Sequence, residues 1–77
     1  MTHTSTRHHH GLLVLAISPT EWRVSDPRRR DDDALCLIGF VQQVDDVFET
    51  TQIGRPRERH YFRSLEAAVD HLAASHD

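Results

Sequence analysis

Only one segment of this 77-residue chain repeats its apolar residues with the period of a helix. Leu65, Ala68, Val69, Leu72 and Ala73 fall at i, i+3, i+4, i+7 and i+8 near its end. The earlier apolar runs are short, rich in β-branched residues and bounded by turn formers. A chain built this way must bury its core between a sheet and a single helical lid. Ser64 stands where an N-cap belongs, and Glu66 in the first turn suits the helix dipole. Glu66, Asp70, His71 and Ser75 are then expected to face water.

The strands are read from alternation and punctuation. Leu12–Ser18 is a continuous apolar run stopped by Pro19, the pattern of a strand buried on both faces. Glu21–Ser25 alternates, with Trp22 and Val24 on one face, so the two pieces form one long bent strand or two short ones. Residues 35–44 are the strongest strand candidate, and Gly39 inside them marks a bulge or a close backbone approach. Asp45-Asp46 reads as a tight hairpin connection into a strand over residues 47–53. Gly54-Arg55-Pro56 is a turn, followed by a short extended piece over residues 59–63. Residues 1–10, polar and rich in His, read as a disordered tail, and residues 11–77 as a single small domain. The expected fold is α+β, a three- to four-stranded antiparallel meander packed against one C-terminal amphipathic helix. Its core would bring Trp22, Phe40 or Ile38, Phe48, and Tyr61 or Phe62 against Leu65, Val69 and Leu72.

Composition excludes several classes of function. The lone Cys36 forms no internal disulfide and no Cys-based zinc cluster, and among Leu35 and Leu37 it behaves as a small hydrophobe. The six apolar residues from Leu12 to Ile17 are too few for a signal-peptide core or a membrane span, so the expected setting is the cytoplasm, with no membrane. The formal net charge is −3, against the basic balance of a dedicated nucleic-acid binder. Gly11, Gly39 and Gly54 are scattered singly, so no phosphate-binding glycine loop exists. No nucleophile, base and cleft can be assembled, and the chain reads as a non-enzyme without a cofactor.

The most suggestive cluster is Arg55, Arg57, Arg59 and Arg63 with Tyr61 among them. Alternating arginines on an extended segment would project to one side and grip phosphates, with Tyr61 free to stack on a base. The competing reading is a solvated turn whose arginines pair with Asp45, Asp46 or Glu49, and the acidic total favours it. Arg28-Arg29-Arg30 followed by Asp31-Asp32-Asp33 cancels its own charge and reads as a zwitterionic loop, self-complementary across a two-fold axis. His8, His9 and His10 on a tail lack the rigid backbone that a metal site needs. His71 and His76, five residues apart, miss the spacing of a shared ligand face and read as surface residues. Asp45, Asp46 and Glu49 read as a solvated turn, not an acid–base pair.

Tyr61-Phe62-Arg63-Ser64-Leu65-Glu66-Ala67-Ala68 resembles the strand-into-helix junction of small domains with three strands and then a helix. The arm-type DNA-binding domains of integrases and the plant AP2 domains share that element order. The resemblance implies DNA binding through the sheet, with Arg55, Arg57 and Arg59 as contacts. It covers one junction and the order of elements, and the acidic Asp45-Asp46 hairpin departs from it. The leading expectation is a binding module acting through protein contacts, with another protein or a second copy as partner. A single helix covers one sheet face, and the apolar residues left over seek a partner. The alternative is a nucleic-acid-binding module using Arg55, Arg57, Arg59, Tyr61 and Arg63.

Overall fold

A computed structural model describes residues 6–9, 11–28 and 37–75. It contains six strands and one helix: β1 (Thr6–His9), β2 (Leu12–Ser18), β3 (Glu21–Ser25), β4 (Leu37–Val44), β5 (Val47–Gln52), β6 (Arg55–Phe62) and α1 (Leu65–Ser75). All strands lie in one antiparallel sheet in sequence order, a pure meander. The α+β class and the C-terminal helical lid are those expected from the sequence. The sheet is wider than the three or four strands expected, for three local reasons.

First, of the two readings of residues 12–25, one bent strand or two short ones, the second holds, because Pro19 and Thr20 form a tight turn that makes the hairpin β2–β3. Second, β6 begins at Arg55, directly after a turn at Ile53 and Gly54, where Gly54 holds φ at 92°. Third, Thr6–His9, expected within a disordered tail, forms the edge strand β1 on β2. Edge pairing needs backbone groups only, and polar side chains do not prevent it. Cys36 and the acidic run Asp31-Asp32-Asp33 lie outside the described residues.

Helix α1 forms where its local signals put it. Ser64 caps it, the Ala67 amide donating to the Ser64 hydroxyl oxygen at 3.1 Å and the Ala68 amide to the Ser64 carbonyl at 3.2 Å. Leu65, Ala68, Val69 and Leu72 are all buried, packed with Leu12, Val14, Val24, Ile38 and Val41 from the sheet. Burying a side chain the size of Val or Leu contributes about 1.5–3 kcal/mol, so this one stripe supplies much of the fold's stability. Trp22 and Phe48 close one end of the core, their rings 5.7 Å apart. Of the paired core alternatives, Ile38 is buried and Phe40 is not, while Phe62 packs on the core and Tyr61 stays 58% exposed.

One irregularity decides between Ile38 and Phe40. Val24 pairs with Gly39 but Ser25 with Leu37, so Ile38 is the extra residue of a bulge. The bulge turns both Ile38 and Gly39 inward, and the Ile53 amide caps the Ile38 carbonyl at 3.0 Å. Gly39 is where the helix comes closest. A Cβ there would stand 2.6 Å from the Thr51 carbonyl oxygen and 3.0 Å from a Leu72 methyl. Gly39→Val is therefore expected to destabilise the domain by about 1–3 kcal/mol through overpacking. Leu72→Ala, which leaves a cavity at the same contact, is expected to cost about 2–5 kcal/mol. Urea unfolding measures both, and a Gly39→Val variant as stable as the wild type would rule out the close approach.

Candidate functional site

The helix covers one face of the sheet, and among the described residues nothing covers the other. Pairing register defines that open face row by row. Leu15, Arg23, Phe40, Thr51 and Arg59 stand side by side across β2–β6. The next row along the strands is Ser18, Glu21, Gln42, Glu49 and Tyr61. Leu13, Leu15 and Phe40 are only half-buried, and Ile17 is 48% exposed. The expectation that β2 is buried on both faces is thus corrected. Leu12 and Val14 face the helix, while Leu13 and Leu15 alternate onto the open side. A shallow concavity of about 310 Å³ lies in this face, bordered by Ile17, Glu21, Trp22, Phe40, Gln42 and Thr51.

Charges of both signs sit among these apolar groups. Arg23 is exposed between Leu15 and Phe40 and holds no ion-pair partner among the described residues. Glu21, its neighbour on β3, accepts a hydrogen bond from the Ser18 hydroxyl at 3.1 Å. At the far edge the Tyr61 hydroxyl donates to Glu49 at 2.7 Å. That bond and the carboxylate's charge push the Tyr61 pKa up, burial adds to the rise, and Arg59 opposes it. The Tyr61 proton is therefore committed to Glu49.

The five residues singled out in the sequence are separated by the fold. Arg59 and Tyr61 share the open face, opposite Thr51 and Glu49. The register then breaks, because Gln52 pairs with Arg55 and residues 56–58 loop out. Arg55 sits beyond that break, 3.9 Å from Glu58. Arg57 is exposed within it, and Arg63 is exposed between β6 and the helix cap. They do not form one continuous row of arginines.

Two contacts escaped sequence reasoning. Asp26 is buried, and Arg28 grips it with Nε at 2.8 Å and Nη2 at 3.2 Å, while the Arg28 amide donates to the same carboxylate at 3.0 Å. The first arginine of the Arg28-Arg29-Arg30 run is thus spent on fastening the end of β3, a tie that Asp26-Pro27-Arg28 signals as an Asx turn. His71, expected at the surface, is half-buried, its ring 4.3 Å from His60 and 5.2 Å from Phe62. No local pattern shows this contact, since His71 lies on α1 and both its partners on β6. His8 and His9 belong to β1, and His10 and His76 lie outside the described residues.

No protein-family model, curated protein or solved structure gives a significant match to this chain. No helix among the described residues is long and apolar enough to cross a membrane.

Burial, and then the neighbouring His60, push the His71 pKa down. The folded state therefore binds its proton less readily than the unfolded chain does. Stability should be fully present above the ordinary histidine pKa of about 6.5 and fall as pH drops through and below that value. His71→Phe keeps a ring against Phe62 and removes the titration. Urea midpoints at neutral and mildly acid pH are expected to converge in this variant relative to the wild type, and an unchanged acid slope would contradict the assignment.

Proposed function

We propose that this chain is a non-enzymatic binding module that works in the cytoplasm through protein contacts made by the open face of its sheet. The observation that carries the reading is the uncovered set of Leu13, Leu15, Ile17 and Phe40 opposite the helix. Contiguous apolar surface rimmed by polar groups marks a contact site. Interface cores favour aromatic residues and arginine, and Phe40 beside Arg23 has that composition. The concavity beside Phe40 offers a seat for one protruding side chain of a partner.

A second reading, nucleic-acid binding, draws on Arg59 beside the exposed Tyr61. Two features weigh against it. Glu49 holds the Tyr61 hydroxyl, and Glu21 stands in the same row, so carboxylates occupy the places phosphates would approach. The net charge of −3 adds general repulsion.

The test is a photo-crosslinking amino acid placed in living cells at Phe40, and separately at the exposed Glu66 on the outer side of the helix. Protein adducts are expected from position 40 and not from position 66. Adducts from neither position, or equally from both, would sink the reading. In parallel, a fluorescent DNA duplex is expected to show no salt-sensitive binding. Binding that weakens steeply with salt and disappears in Arg59→Ser would put the second reading in its place.

A further inference from the structure

Resting on the protein-contact reading, we propose that the partner on the open face is a second copy of this chain, related by a two-fold axis that runs between its two central rows. Register gives the open face a charge pattern complementary to itself. One row reads Leu15, Arg23, Phe40, Thr51, Arg59, and the next reads Ser18, Glu21, Gln42, Glu49, Tyr61. An axis lying in the face and parallel to these rows sets each row against the other row of the second copy, with the strand order kept. Arg23 then meets the partner's Glu21, and Glu21 meets the partner's Arg23. Arg59 falls against the partner's Tyr61 and diagonally beside the partner's Glu49. Two-fold interfaces demand this kind of self-complementary patch.

The remaining groups agree with the same axis. Phe40 is set against the partner's Gln42, and both residues border the concavity, so the two concavities adjoin across the axis. Arg23 is exposed and has no ion-pair partner among the described residues of its own chain, which leaves its guanidinium available to a carboxylate across the axis. The domain measures 36 × 35 × 19 Å, and its broad face exceeds the roughly 800 Å² that each side of a standard interface contributes. Two sheets packed in this way place their strands within about 30° of one another.

Sedimentation velocity over a wide concentration range tests the proposal. The wild type is expected to pass from monomer to dimer. Glu21→Arg and Arg23→Glu each place like charges opposite one another at both symmetric positions, and each is expected to weaken dimerisation at least about tenfold. Mixing the two single variants should restore a dimer, because Arg meets Glu again at every pair. The double variant E21R/R23E should also dimerise. Both positions are exposed, and circular dichroism checks that each variant is folded. A wild type that stays monomeric, or a dimer that no reversal weakens, overturns the proposal. If a monomeric wild type still gives adducts from position 40 to a different protein, the protein-contact reading survives and only the second copy falls. A monomer without adducts removes both.

Discussion

The contact of Leu72 on Gly39 sets the terms for the rest of the molecule. Among the described residues one helix of eleven residues is the only lid, and it must lie close enough to β4 to bury Leu65, Ala68, Val69 and Leu72 together. The missing side chain at Gly39 grants that approach, with a Leu72 methyl 3.0 Å from where a Cβ would be. The bulge at Ile38 supports it by turning two consecutive residues inward at the place of closest packing. The helix is consumed by this one face. Among the described residues nothing covers the other side of the six-stranded sheet, and its character follows from that shortage of cover.

The parts of this fold that were readable from the sequence are those whose signals are local. The Ser64 cap, the apolar stripe after it and the tight turn at Asp45 all reappear, Asp45 adopting φ of 59° as a short hairpin turn demands. Face assignments were less legible, because alternation counts residues and a bulge miscounts them. Parity alone puts Ile38 and Phe40 on the same face, and the slip between Val24 and Ser25 separates them, turning Ile38 into the core. The same holds at Ile17, which sits in the irregularity between Ala16 and Ser18 and emerges 48% exposed. Strand β1 was invisible for a different reason. Its pairing runs through backbone groups that every residue carries, so Thr6–His9 shows no apolar pattern to read.

The candidate surface was legible in composition and not in arrangement. A single helix cannot cover all the apolar residues of the strands, and Leu13, Leu15 and Phe40 stand on the face it leaves open. Which charges accompany them depends on register, and register follows from turn geometry several residues away. The arginines after Gly54 looked like one alternating ridge because the looped-out residues 56–58 cannot be seen in a string of letters. His60 and His71 met for a similar reason: one lies on β6 and the other on α1, and their contact exists only after the helix has docked.

The open face also carries an answer to its own hazard. A sheet side with Leu15 and Phe40 in one row invites indiscriminate association, and natural sheets guard against it with charges placed inside the patch. Arg23 stands between those two residues as a charge of that kind. Arginine is well suited to that position. Its guanidinium is weakly hydrated and planar, so it can be covered by a partner at lower cost than lysine, provided a carboxylate meets it. A guard of this kind excludes partners that lack a matching carboxylate and admits one that presents it in register. Glu21 carries a carboxylate one row away on the same strand, so charges of both signs lie within this one face.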